Sequence, residues 1–125
     1  VAARGSSAMV RLEGLRALAG LPRDTALILP ALIRGLDDPS EQVRFAAVYG
    51  VGRYEGAAVA AVPGLRRALG DRHFGMRSSA AYALGRIGVA AREAMPELRR
   101  ALADPDSSTR MAAAVALSRV SESPP

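Results

Sequence analysis

VPGLRRALGDRHFGMRSSAAYALGRI, residues 62–87, reads as two helical segments divided by one turn. In the first part Leu65 and Leu69 stand four apart, with Val62 one turn earlier, so one face is apolar. After Asp71 the pattern restarts, with Met76, Ala80, Ala83, Leu84 and Ile87 again spaced for one helix face. The same stretch recurs on both sides of itself. Pro30, Pro63 and Pro96 stand 33 residues apart, and the columns around them align without a gap. They include Leu32, Leu65 and Leu98; Leu36, Leu69 and Leu102; Asp38, Asp71 and Asp104. Further columns are Arg44, Arg77 and Arg110; Ala47, Ala80 and Ala113; Val51, Leu84 and Leu117; Arg53, Arg86 and Arg119. One period earlier, Arg11, Leu18 and Leu21 fall in the columns of Arg44, Val51 and Tyr54.

A fixed period of this length marks stacked supersecondary units. The expected division is a half-repeat at 6–21, repeats at 25–57, 58–90 and 91–121, and a tail at 122–125. All belong to a single solenoid over 1–125. The first helix of each unit is expected near 25–36, 58–69 and 91–102, with its proline early in the helix or bending it. The second is expected near 39–54, 72–87 and 105–120. Asp38-Pro39 and Asp104-Pro105 read as an Asp N-cap followed by proline at the first helical position. Glu41 would complete a capping box, and Gly56 and Gly88 would close helices at their C-termini. Such hairpins cannot bury their apolar faces alone and must stack, which predicts an all-α, right-handed α-α superhelix.

Composition agrees and excludes several function classes. The 125 residues are half apolar, but the aromatic fraction is 4 %, with no Trp. Ala favours helices and close helix–helix approach, whereas strand-preferring residues are thin. The absence of Cys excludes disulfides and thiolate metal sites, and a lone His excludes a His cluster. No apolar run is long enough for a membrane span, and no signal-peptide pattern is present, so a cytoplasmic location is expected. A chain opening at Val1 reads as a processed product or a segment of something longer. The net charge is +5, every basic residue being Arg, and such composition with abundant Ala, Gly, Pro and Val resembles GC-rich codon usage. No Ser/His/acid set, phosphate-binding glycine loop or carboxylate pair appears, so no enzyme activity, metal or cofactor is expected.

Neither the ankyrin tetrapeptide nor the tetratricopeptide Trp and Tyr pattern is present. The units instead resemble the short bacterial HEAT-like repeat, first grouped with phycobiliprotein lyases. The resemblance rests on Val62-Pro63-Gly64-Leu65, Asp71, Met76-Arg77, Ala80, Leu84-Gly85 and Ile87. It covers about residues 6–120 and departs at Thr109, Ser118 and Tyr54. It implies a structural ladder of Asp38, Arg44, Asp71, Arg77, Asp104 and Arg110, the Asp capping a helix and the Arg bonding to neighbouring loops or acids. It also implies that the second helices line a concave face, ordinarily with polar side chains. HEAT-type enzymes carry repeated His-Glu pairs or a Trp with an Asp. Here His73 stands alone beside Phe74.

Residues shared by every unit belong first to the stack; departures from the unit's chemistry carry information. On the second helix Val43, Ala47, Gly50, Val51 and Tyr54 should face the core, with Ala46 beside them. The outward stripes are then Glu41, Phe45, Tyr49, Arg53; Phe74, Ser78, Tyr82, Arg86; and Ser107, Met111, Val115, Arg119, with Ala8, Leu12 and Arg16 in the half-repeat. An exposed stripe of Phe, Tyr, Met and Arg marks an interaction surface, these being the types enriched at interfaces. The alternative is that Phe45 and Tyr49 fill space against the next unit. The expected partner-binding residues are Phe45, Tyr49, Arg53, Phe74, Tyr82, Arg86, Met111, Val115 and Arg119. They point to a scaffold that grips a protein or peptide of acidic character. Nucleic-acid binding is the runner-up, through these Arg and a second row of Arg34, Arg67 and Arg100 with Arg66 and Arg99. Third comes a structural segment of a larger solenoid, since uncapped ends would be covered by self-association or by flanking repeats.

Overall fold

The computed structural model describes residues 7–19 and 28–121, which form an all-α repeat solenoid with no strand among them. The helices are α1 (Ala8–Ala19), α2 (Ile28–Gly35), α3 (Glu41–Gly52), α4 (Val62–Ala68), α5 (Phe74–Ile87), α6 (Met95–Ala101) and α7 (Ser107–Val120). The expected helix start at residue 25, both ends of the half-repeat, and the tail at 122–125 lie outside the described residues. Helices α1, α3, α5 and α7 pack on one another in chain order, while α2, α4 and α6 with their leading segments form the other layer.

The first helices are shorter than the period predicts. Residues Glu55–Ala61 and Gly88–Ala94 are 3₁₀ segments, bent at Ala58 and Ala91, and the α-helix starts only at Val62 and Met95. Proline explains this. Pro63 and Pro96 sit in the first positions of α4 and α6. A proline ring clashes with the carbonyl four residues back, so an α-helix cannot run through it from residue 58 or 91.

The second helices also begin later than expected. Their N-caps are Ser40, His73 and Asp106, not Asp38 and Asp104. Ser40 Oγ accepts from the Val43 amide at 3.5 Å and Asp106 Oδ2 from the Thr109 amide at 2.8 Å, while His73 Nδ1 accepts from the Gly75 amide at 3.0 Å. Asp38, Asp71 and Asp104 each fold back onto the amide two residues ahead, at 2.9, 3.0 and 2.9 Å. That is the local turn that Asp side chains favour, and it moves the cap two residues along. Glu41 is consequently the first residue of α3. Gly88 does close α5, at φ 78°, whereas α3 ends at Gly52 with Arg53 as its cap and Gly56 lies inside a 3₁₀ segment.

The core follows the columns. Leu32, Leu65 and Leu98 are fully buried, as are Val43, Met76, Val51 and Leu84, with Ala47, Ala80 and Ala113 between them. Tyr54 and Ala46 are only partly buried against this core. Small residues set the spacing between units: a Cβ on Gly85 would stand 3.1 Å from the Ala116 Cα, so α7 would have to give by a few tenths of an ångström.

Candidate partner-binding surface

Two kinds of Arg chemistry frame the surface. The first runs between units along the turn side of the stack. Arg11 Nε and Nη2 donate to Asp38 at 2.7 and 3.0 Å, and Arg77 Nε and Nη2 donate to Asp104 at 2.8 and 3.0 Å. Arg44 Nε donates to Asp71 at 3.0 Å. Each acid is thus held 27 residues from its Arg, in the next unit. Arg44 Nη1 also donates to the Asp38 and Pro39 carbonyls, and Arg77 Nη1 to those of Asp71 and Arg72. The hydrogen bond from Arg11 holds the Asp38 carboxyl below its ordinary range, against the opposing effect of burial, with help from the Ser40 amide. Arg77 does the same to Asp104.

The second set lies on the first helices, where the columns record the Arg but not the acids that pair with them. Arg66 grips Glu97 through two bonds of 3.1 and 2.9 Å, and Arg67 grips Asp37 at 3.0 and 2.8 Å. Arg100 adds a contact to Glu97 at 3.6 Å. The Arg66 bond keeps the Glu97 carboxyl low as well. Asp37 has Gly70 and Ala103 as its column mates, so its pairing leaves no repeated mark in the sequence.

The outward face of α3, α5 and α7 is where the predicted stripe residues fall, and it divides into two grooves. Between α3 and α5 stand Phe45, Tyr49, Arg53, Tyr82 and Arg86, over a floor of Val48, Gly52 and Ala83. Between α5 and α7 stand Tyr82, Met111, Val115 and Arg119, over Ala81, Gly85, Ala112 and Ala116. Tyr82 is the shared wall. Tyr49 is 75 % exposed, Tyr82 59 % and Met111 72 %, so these side chains are not core filler. Phe45 is different: it is partly buried and packs against the core. Phe74 lies outside both grooves, stacked on His73 with ring centres 5.1 Å apart. His73 in turn meets Phe45 edge to face at 5.1 Å, and its Nε2 is 3.7 Å from Glu41. Leu12, expected outward with Ala8 and Arg16, is buried, because α1 packs it against the neighbouring units.

The grooves offer aromatic faces, hydroxyls, an apolar floor and positive charge. The Arg86 guanidinium lies 5.8 Å from the Tyr82 ring centre, within reach of its π face, and Nη1 is 3.4 Å from the Tyr82 hydroxyl. Ser78 Oγ donates to the Gly75 carbonyl at 3.1 Å, a local helix bond. Among the described residues no group of three His or acidic side chains could hold a metal ion, and no helix is long and apolar enough to cross a membrane.

A family model described as HEAT repeats matches residues 1–85 and 62–124. No curated protein matches the sequence.

Proposed function

The chain belongs to the HEAT-repeat family, whose members generally act as protein-interaction scaffolds, and from that premise we propose that it is a non-catalytic scaffold. Taken as one solenoid over residues 1–125, it grips an acidic protein or peptide segment on the face of α3, α5 and α7, the concave face of the stack. The observation that carries this reading is the row of large apolar side chains left in solvent along both grooves. Tyr49, Tyr82, Met111 and Val115 are half exposed or more, yet no packing need of the fold keeps them there. Natural surfaces seldom leave such a contiguous set uncovered unless something binds it. Arg53, Arg86 and Arg119 end the grooves with positive charge, which suits carboxylates. Tyr and Arg are also the residue types that dominate interface energetics.

The nucleic-acid alternative draws on the Arg row of the first helices. There Arg66 and Arg67 are committed to bidentate carboxylate pairs, and Arg100 also contacts Glu97. Phosphates would have to compete with those acids, so the pairing favours the peptide reading. Panning a displayed peptide library against the intact chain tests it. Recovered peptides should be rich in Asp, Glu and apolar residues, and Tyr49→Ala with Tyr82→Ala should lose them. The melting temperature should barely move, since substitutions at exposed sites cost within about 0.5 kcal/mol. Binders that ignore both substitutions, or a large fall in melting temperature, would refute the assignment.

A further inference from the structure

The two grooves that share Tyr82 differ in chemistry, and each has its walls and floor among the described residues. The groove between α3 and α5 encloses about 650 Å³, with Ser78 and Ser79 towards one end and Arg53 and Arg86 at the other. Arg53 caps α3 and Arg86 stands in the last turn of α5, so the two charges flank the same end. The groove between α5 and α7 encloses about 250 Å³, and apart from Tyr82 and Arg119 every residue lining it is apolar. The helices approach closely. A Cβ on Gly52 would lie 3.6 Å from the Ala83 Cβ, and one on Gly85 3.1 Å from the Ala116 Cα. Such packing puts neighbouring helix axes, and hence neighbouring grooves, about 8–10 Å apart.

A segment that fills both grooves must present two side chains on one face at that separation. A β-strand does not, since its same-face residues fall about 7 or 13 Å apart. A polyproline II segment does: with three residues per turn and a rise of about 3.1 Å, positions i and i+3 stand about 9 Å apart on one face. An α-helix reaches a comparable length only at i and i+7. The wall between the grooves decides between these two. Tyr82 is 59 % exposed there, and its hydroxyl accepts from Arg86 Nη1 at 3.4 Å, so it can still donate its own hydrogen. A polyproline II backbone has carbonyls free to accept that bond, whereas a helix uses its own internally. Resting on the scaffold reading above, we infer that the two grooves read one polyproline II segment of a partner protein crossing the helices. The α3/α5 groove takes an acidic side chain, and the α5/α7 groove takes an aliphatic one three positions away. Charge complementarity sets the acid between Arg53 and Arg86, and the apolar lining of the smaller groove receives the aliphatic group.

Fluorescence anisotropy of labelled proline-host peptides with the intact chain is the test. Glu and Leu are set two, three or four positions apart in either order, and seven apart in an alanine-rich helix. In one order the three-position peptide should bind about tenfold tighter than every other spacing. Double-mutant cycles then assign the grooves. Glu→Gln in the peptide should weaken binding to the native chain, but not to a chain with Arg53→Gln and Arg86→Gln. Leu→Ala should weaken it with the native chain, but not with Met111→Ser and Val115→Ser. Tightest binding at another spacing or in the helix overturns the inference, and so do couplings that are absent or exchanged between the grooves. In each of those cases binding that still depends on Tyr49 and Tyr82 leaves the scaffold reading standing. Failure of all these peptides to bind overturns the inference as well, and the library panning then decides separately for the scaffold.

Discussion

The turn side of the stack and its groove side are built on opposite rules. Along the turns the same two residue types recur in every unit, and Arg44 and Arg77 each bind two carbonyls and a carboxylate. Along the grooves the column mates differ: Phe45, Ser78 and Met111 in one, Tyr49, Tyr82 and Val115 in another. Apart from the repeated Arg53, Arg86 and Arg119 at the groove ends, repetition here tracks what holds units together, and irregularity tracks what is left facing outward. A repeat protein can therefore vary one side without disturbing the other.

The contrast is broken most severely inside the stack. Leu65→Ala removes a fully buried side chain and should cost about 2–5 kcal/mol, visible as a large fall in the urea midpoint. If it cost no more than Tyr82→Ala, the two sides would not differ in kind. Asp106→Ala should follow at about 1–2 kcal/mol, since that carboxylate caps α7 and also accepts from the buried Thr109 hydroxyl at 2.9 Å. Ser40→Ala, which loses only a long cap bond of 3.5 Å, should cost less. Reversal of that order would remove the cap assignment. Acid sharpens the comparison more gently. Asp38, Asp104 and Glu97 are held below their ordinary values, so the unfolded chain binds more protons as pH falls. Their contribution is complete above about pH 5 and is lost as pH drops through the lowered values. Thermal scans should show stability declining below about pH 4, with Asp38→Asn and Asp104→Asn each flattening that decline. An unaltered acid limb in both variants would take the ladder out of the account.

Much of this was legible from the letters because a solenoid repeats its reasons. The 33-residue register located the second helices to within two residues and put the Ala column and most of the Leu columns in the core, with Leu102 exposed and Leu117 partly buried. Errors came where one dipeptide fits two geometries. Asp38-Pro39 looks like a cap with proline at the first helical position, but the Asp side chain instead closes a turn two residues earlier. The 3₁₀ segments leave no separate mark: the apolar spacing of residues 58–69 suits an α-helix, and Pro63 alone reads as early in that helix or bending it. Pairings such as Arg67 with Asp37 depend on how far α4 sits from the preceding unit, which no column records. The grooves were half visible. Their walls departed from the repeat and drew attention, while their floors at Gly52, Ala83, Gly85 and Ala116 looked like ordinary packing.

The ladder has a consequence for how the molecule opens. Every rung ties one unit to the next and to nothing further away, so loosening spreads from the ends as from a zip fastener. Among the described helices α5, like α3, has a rung and a packed helix on either side, so its amides should be among the last to exchange with solvent. Tyr82, the wall common to both grooves, is carried on that helix. On the proposed function, a segment landing there would meet a surface already held in shape, and little of its binding energy would go to ordering the receptor.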